Sequence, residues 1–235
     1  MWILIAAIGA LVGAHVAPFP FLLDVTDDTV WRMPRTGTPT VYLTFDDGPN
    51  PSATPQLLDV LARHGVPATF FIIDKHLTRE TAPIVRRAFE EGHAVAIHWH
   101  SRELMFKGPD YVASVIQEAA ARVEFLTGHQ ACRAFRPHAG HRSVPMLMGA
   151  AKARYLVVGW SWMLWDFNWG QARTANATVA RILPRVHAGD IVVMHDGDES
   201  APRRDQRQTV DAAATLIPAL RSRGFVFGTV CQNQA

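Results

Sequence analysis

The sequence predicts an α/β fold in which a mostly parallel sheet is covered by helices. From about residue 39 onward, short apolar segments rich in β-branched residues alternate with amphipathic segments. Glycines at positions 65, 92, 128 and 224 follow four of the amphipathic segments, where helices commonly end. The chain has 235 residues, 49% of them hydrophobic, which suits one compact domain with a sizeable core. Alternation alone leaves a closed barrel and an open doubly wound sheet both possible.

Seven short segments have the apolar, β-branched or aromatic composition of buried strands. In chain order they are residues 41–45, 69–73, 94–98, 134–136, 155–160, 190–194 and 225–230. Six segments between them contain good helix formers, with apolar residues three or four positions apart. These predicted helices cover residues 54–63, 79–91, 111–127, 144–151, 175–186 and 207–221.

The amino-terminal end differs in composition from the rest of the chain. Residues 1–23 contain no Asp, Glu, Lys or Arg, and we expect them to form a signal peptide or a membrane anchor. We expect residues 24–38 to be a linker and residues 39–235 to be the catalytic domain. An apolar leader of this kind predicts an extracytoplasmic location, either secreted or attached to a membrane.

Charge and cysteine content narrow the classes of partner. The formal net charge is only +2, and Lys and Arg form no basic stripe interleaved with aromatic residues, so we predict no nucleic-acid partner. We expect a monomer. Cys132 and Cys231 are the only cysteines, and the count fits either one disulfide or two buried thiols.

Polar and titratable residues recur at the carboxyl ends of the predicted strands, where active sites of parallel α/β folds collect. In order they are Asp46 with Asp47, then His98, Arg136, Trp160 leading to Asp166, and His195. Adjacent carboxylates repel each other unless a cation or a shared proton compensates them. Carboxylates and imidazoles together can hold a divalent ion, remove a proton from water and protonate a leaving group. The pattern therefore favours metal-assisted hydrolysis of an amide or ester.

The order of these residues resembles the motifs of the polysaccharide deacetylases, the NodB-like carbohydrate esterases of family four. The similar segments are TFDDGP at 44–49, GHAVAIH at 92–98, FRP at 135–137 with Gly140, Trp160-Ser161 with Asp166, and IVVMHDG at 191–197. The resemblance covers about residues 39–230. It implies a deformed (β/α) barrel of about seven strands that removes acetyl groups from an N-acetylglucosamine-containing glycan or an O-acetylated polysaccharide.

The resemblance also implies a role for each matching side chain. Asp46 would be the general base, and Arg136 would keep its carboxylate ionised and oriented. Asp166 would brace Arg136, and His195 would be the general acid. A divalent metal, which we expect to be zinc, would be held by Asp47 and His98.

The second motif departs from the family, because Arg102 stands where a second histidine ligand is expected. A guanidinium stays protonated and has no free lone pair for a metal. His100 could replace the missing ligand, since residues two apart in an extended segment point to the same side. Alternatively, Arg102 could stabilise an oxyanion as a fixed cation. A third possibility is a glycan-binding protein that has lost both its metal and its activity.

Three further residues are predicted to line the substrate cleft. Ala139 occupies the position whose backbone N–H contributes to the family's oxyanion hole, and this donor does not depend on the side chain. Trp160 belongs to an aromatic cluster around Asp166, and such rings can stack on sugars. Met194 precedes His195 at the position where the family places an apolar residue beside the acyl group.

Overall fold

The fold is an α/β half-barrel, seen in a computed structural model that describes residues 28–35, 37–167 and 173–231. The strands are β1 (Thr40–Asp46), β2 (Thr69–Ile73), β3 (Ala94–His98), β4 (Ala134–Arg136), β5 (Leu156–Val157), β6 (Ile191–His195) and β7 (Val226–Phe227). The helices are α1 (Ala53–His64), α2 (Ala82–Glu90), α3 (Pro109–Thr127), α4 (Val144–Lys152), α5 (Ala175–Ile182) and α6 (Arg207–Ser222). The predicted alternation of strand and helix is confirmed.

All strand pairs in the sheet are parallel. The hydrogen-bonded order is β5-β4-β3-β2-β1-β6, and β7 pairs with the first residues of β1. Parallel strands place all their carboxyl ends at one edge of the sheet, so residues that end different strands become neighbours. In β1, β3 and β6 these last residues are Asp46, His98 and His195.

A strap of residues 28–33 connects the two outer strands of this path. Val30 pairs with Val158, just after β5, and Arg32 pairs with Asp190, just before β6. The Arg32 Nε atom lies 2.8 Å from a carboxylate oxygen of the fully buried Asp190. We expect a linker at 24–38, and the structure differs here, since residues 28–33 of this segment pair with the sheet. The gap between β5 and β6 leaves backbone groups that need hydrogen-bond partners.

Side chains on the strands alternate between two cores. Leu43 and Phe45 of β1, together with Met194 of β6, face the layer between the sheet and the helices. Tyr42 of β1 and Val193 of β6 face the other side, the barrel interior. The alternation therefore directs the side chain of every second residue toward the inside of the barrel, and the last inward positions lie at the strand ends.

Two predicted strands are shorter in the structure than in the sequence analysis. The segment predicted at 155–160 pairs with β4 only over Leu156–Val157. The Val158 amide still donates to the Phe135 carbonyl of β4, whereas the Gly159 amide donates to the carbonyl of Val30. A Cβ on Gly159 would lie 2.2 Å from the Trp31 ring, so this close approach requires glycine. The segment predicted at 225–230 is a strand only at Val226–Phe227.

Cys132 and Cys231 form a disulfide, which settles the alternative that the sequence left open. It joins the chain just before β4 to the end of the described residues, across 99 positions of sequence. The predicted signal peptide or membrane anchor, residues 1–23, lies outside the described residues. Among the helices that are described, none has the length and apolar character needed to cross a membrane.

We expect Cys132→Ser to lower the free energy of unfolding by about 2–4 kcal/mol, because a long closed loop restricts the unfolded chain. Urea unfolding of the oxidised protein, followed by circular dichroism, measures the difference. Fully reduced wild-type protein is the control and should unfold at nearly the same urea concentration as the variant. If the variant matches the oxidised wild type, the bond adds no stability.

Candidate active site

The strand ends surround an open cavity of about 660 Å³. Carboxylates, imidazoles, guanidinium groups and aromatic rings line it, and the first two can transfer protons. The lining residues are Asp46, Asp47, His98, Arg102, His138, Ala139, His141, Trp160, Phe167, Arg173, Val193, His195, Asp198, Glu199, Ser200 and Arg204. The structure thus brings most of the predicted site residues together around one space.

Asp46 is held by a buried guanidinium below the cavity. Arg136 Nη1 lies 2.5 Å from Asp46 Oδ1 and also donates to the Thr44 hydroxyl at 2.8 Å. The other guanidinium nitrogens of Arg136 donate to the carbonyls of Val158 and Gly159. Because Arg136 is fully enclosed, Asp46 supplies the negative charge that its burial requires. One carboxylate oxygen of Asp46 is thereby fixed by the arginine.

Asp47 turns out of the strand and faces His98. Its φ of 70° is left-handed, which lets two consecutive carboxylates line the same cavity although neighbouring residues of a strand point to opposite sides. Asp47 Oδ1 lies 3.2 Å from His98 Nε2. Burial alone would raise the pKa of Asp47, but the hydrogen bond and charge of His98 more than offset this, so its pKa lies well below the usual range.

His98 is oriented by the backbone of the neighbouring strand. Its Nδ1 lies 2.8 Å from the carbonyl oxygen of Arg136, and a carbonyl can only accept, so Nδ1 carries the proton. The other ring nitrogen, Nε2, is then left to face Asp47. This arrangement, with one nitrogen bound to the backbone and the other aimed at a carboxylate, is typical of a histidine that ligates a metal.

Asp166 pairs with His195, and this differs from our expectation that it would brace Arg136. Asp166 Oδ1 lies 2.7 Å from His195 Nδ1, and Asp166 Oδ2 accepts the His195 backbone N–H at 2.8 Å. The guanidinium of Arg136 is occupied by Asp46, Thr44 and two carbonyls, which leaves Asp166 to the histidine. The Asp46–Arg136 pair and the Asp166–His195 pair are therefore separate.

The Asp166–His195 pair fixes the charge of the histidine. Burial alone would lower the pKa of His195, but the charge and hydrogen bond of Asp166, with contributions from Asp47 and Asp46, raise it to about 9. The same pairing lowers the pKa of Asp166, against the effect of burial. At neutral pH His195 is consequently an imidazolium that can give up a proton.

The structure separates the two candidates for the missing metal ligand. Arg102 lines the cavity, whereas His100 is absent from its lining. His100 Nδ1 is buried and has no hydrogen-bond partner among the described residues, and the centroid of the His100 ring lies 5.1 Å from that of Trp99. The prediction that His100 completes the ligand set is thus not supported by its position, because the chain leaves the strand after His98 and its side chains no longer alternate regularly.

The donors present do not fit a metal site with three protein ligands. Asp47 and His98 are suitably placed, but Arg102 offers no lone pair. His138 also lines the cavity, and its Nδ1 is engaged by Glu199 Oε2 at 2.8 Å. Within the described ranges, no three His, Cys, Asp or Glu side chains converge in a way that could hold an ion.

The predicted cleft residues divide into two groups. Trp160 and Ala139 line the cavity, and Ala139 has a left-handed backbone with φ 49°. Met194 does not: its side chain is fully buried in the core beneath the helices. His195 points inward, so the inward neighbour on the same strand is two residues away, at Val193. Met194 therefore does not line the cavity as predicted, and Val193 of the same strand does.

Several residues of the site escaped the sequence analysis. Thr209, near the start of α6, donates to Asp166 Oδ2 at 3.3 Å, and no local pattern marks it. Glu199 reaches the cavity from the loop between β6 and α6. Asp196 is buried and accepts a hydrogen bond from Thr54, and burial with the nearby acidic groups raises its pKa to about 7. The adjacent sequence His195-Asp196 was the one signal that pointed to it.

Sequence comparison shows similarity to deacetylases over most of the chain. The family described as "Polysaccharide deacetylase" matches residues 34–158. A chitooligosaccharide deacetylase of Sinorhizobium fredii is 39% identical over 216 residues, covering 88% of this chain and 98% of the relative. A peptidoglycan-N-acetylglucosamine deacetylase of Bacillus cereus is 30% identical and covers 89% and 94% of the two chains.

Solved structures show the same architecture. A crystal structure of a peptidoglycan N-acetylglucosamine deacetylase aligns with a TM-score of 0.75 and 27% identity, covering 90% of this chain and 95% of that one. A family 4 acetyl xylan esterase from Clostridium thermocellum, in complex with a cobalt ion, aligns with a TM-score of 0.71 and 29% identity. It covers 81% of this chain and 88% of the esterase chain. The expected deformed (β/α) barrel is thus confirmed.

We expect Asp166→Asn to lower the pKa of His195 from about 9 toward or below its ordinary value near 6.5, because the main charge that raises it is removed. NMR titration of the His195 ring measures the shift. The folded-state pKa is raised, so the pair stabilises the protein below about pH 6.5 and this contribution is lost as the pH rises through about 9.

The matched control is Asp110→Asn, which removes an exposed carboxylate that pairs with Lys152. It should leave the titration of His195 unchanged. An unchanged pKa of His195 in Asp166→Asn would contradict the assignment of the pair.

We expect Gly197→Ala to displace Asp47, because a Cβ at this position would lie 2.0 Å from the Asp47 carbonyl oxygen. Overpacking of this kind costs about 1–3 kcal/mol. Thermal unfolding measures the loss, and Gly37→Ala is the control since no atom lies within 4 Å of a Cβ there. Equal melting temperatures for the two variants would show that the turn yields without cost.

Proposed function

Because the chain belongs to the polysaccharide deacetylase family, we propose that it is a hydrolase that removes acetyl groups from N-acetylglucosamine units of a carbohydrate. One observation carries this proposal. Asp46 and His195 line the same cavity, and each is bonded to its own buried partner of opposite charge. A carboxylate base and an imidazolium acid are the two proton-transfer groups that amide hydrolysis needs.

The proposed reaction follows from the atoms that these pairs leave available. Arg136 occupies Asp46 Oδ1, so Oδ2 takes a proton from the water that attacks the acetyl carbonyl carbon. Asp166 occupies His195 Nδ1, so Nε2 gives its proton to the leaving nitrogen as the carbon–nitrogen bond breaks. The products are acetate and a free amine on the sugar. The same two transfers would cleave the ester of an O-acetylated polysaccharide.

Substrate contacts are proposed for four lining groups. The Ala139 backbone N–H and the Arg102 guanidinium would face the negative charge that develops on the carbonyl oxygen. The ring of Trp160, with Phe167 packed edge-on 6.4 Å away, provides an aromatic wall for a sugar. Val193 is the inward apolar residue nearest His195 on β6 and suits the acetyl methyl group.

The expected zinc ion is not needed to write the proposed reaction, and the residues present determine how tightly it would bind. A relative of this chain holds a cobalt ion, and a bound divalent ion would polarise the acetyl carbonyl. Asp47 and His98 are the residues that would contact it, but the third protein ligand is missing from the described residues. No step of the proposed reaction is therefore assigned to a metal.

We also propose that the protein acts outside the cytoplasm, as a monomer, on a cell-wall or other extracellular glycan. The Cys132–Cys231 disulfide supports an oxidising compartment. Cell fractionation with antibodies against the protein tests the location, and recovery of the protein from the cytosol alone would contradict it. Sedimentation of the purified protein tests the oligomeric state.

A second candidate function is glycan binding without catalysis, and Arg102 at the position of a ligand is the observation that favours it. Incubation with a chitooligosaccharide separates the two candidates. Release of acetate with the appearance of free amine supports the hydrolase. Binding of the oligosaccharide, measured by calorimetry, without any acetate release supports the binding protein.

We expect Asp46→Asn and His195→Ala each to lower the turnover number for acetate release about 100-fold to 10,000-fold, because each removes a proton-transfer group. Circular dichroism should show both variants folded, and the exposed-site variant Asp110→Asn should retain the wild-type rate. Near wild-type turnover in both site variants would reject the proposed roles.

A further inference from the structure

We infer that Arg102 places a cavity-facing cation where the family resemblance implies a metal ligand, so that this protein offers a divalent ion two ligands and holds it weakly. The inference rests on the proposed function, since it concerns the same cavity. It depends on three observations: the surroundings of Arg102, the engagement of the other imidazoles, and the geometry of the two remaining donors.

Arg102 lines the cavity without a salt bridge to any carboxylate of the described residues. It opens the short helical turn Arg102–Phe106, its side chain is exposed, and it lines the cavity together with Asp47 and His98. Among the residues that the structure describes, no carboxylate of any Asp or Glu lies within 4 Å of its guanidinium nitrogens. By contrast, Arg204, which also lines the cavity, is paired with Asp198 at 2.7 Å. A guanidinium in the same cavity as the two donors disfavours the binding of a divalent cation there.

No imidazole nearby replaces the missing ligand. His100 does not line the cavity. His138 does, but its Nδ1 bonds to Glu199 and its ring stacks on His141 with 6.2 Å between centroids. Both contacts fix the His138 ring in an orientation set by the loop that follows β4 and by the loop after β6. These contacts leave His138 Nε2 available, but within the described ranges it does not converge with Asp47 and His98 on a point that could hold an ion.

The two remaining donors keep the geometry of a metal site. His98 Nδ1 is tied to the Arg136 carbonyl, and Nε2 lies 3.2 Å from Asp47 Oδ1. These contacts preorganise the nitrogen and oxygen that would contact an ion. A histidine introduced at position 102 would therefore meet an existing pair and complete a tridentate site. Arg102→His should convert a weak site into a tight one by a single change.

The test uses Co²⁺ as the probe, because its visible absorption reports protein nitrogen and oxygen ligands directly. We expect Arg102→His to bind Co²⁺ at least about 10-fold to 100-fold more tightly than wild type, measured by calorimetry and by the visible spectrum. Arg102→Gln removes the positive charge without supplying a strong ligand, so its affinity should lie between the two. Circular dichroism verifies that each variant is folded.

Two results would overturn the inference. One is tight binding of one Co²⁺ per wild-type chain that Arg102→His does not improve. The other is loss of that binding in His138→Ala, which would identify His138 as a third ligand after all. If Arg102→His does not fold, the comparison of wild type with Arg102→Gln still tests the inference. Weak binding of Co²⁺ by wild type that becomes tighter in Arg102→Gln supports it. Metal affinity is measured without substrate, so an inactive protein would contradict the proposed function and leave this result standing.

Discussion

The buried guanidinium of Arg136 is the interaction on which the site depends. It bonds to Asp46 and Thr44 of β1 and to two carbonyls that follow β5, and it lies 3.8 Å above the ring of Phe71 in β2. Removing such a charge from water costs several kcal/mol unless every donor finds a partner. Arg136 can therefore be buried only when these strands are all in place. Assembly of the barrel and positioning of the proposed base are the same event.

The strand pattern was predictable because buried parallel strands are nearly continuous apolar runs. β2 and β3 have the predicted bounds, and β1 and β6 differ by a residue at their ends. β5 was predicted too long, because β4 ends at Arg136, before a proline that cannot continue the ladder, and the chain beyond Val157 pairs instead with Val30, more than 120 positions earlier in the chain. Composition within a window of ten residues contains no information about such a distant partner.

The membership of the site was more predictable than its internal pairing. Residues that end parallel strands must meet, so Asp46, Asp47, His98 and His195 could be placed in one cavity from their positions alone. Which carboxylate pairs with which cation depends on side-chain conformations, and Asp166 therefore turned to His195 against expectation. The error at Met194 was avoidable, since the inward position of His195 already places Val193, and not Met194, on the same side.

The strap of residues 28–33 has a practical consequence for anyone who trims this protein. A fragment that starts at residue 39, just before the first strand, would retain every motif of the site. It would also leave the Val157 carbonyl, the Gly159 amide and the carboxylate of Asp190 without the backbone and guanidinium groups that now bind them. The shortest fragment expected to keep these contacts between the strap and the sheet thus begins upstream of Val30. That stretch contains none of the motif residues of the site.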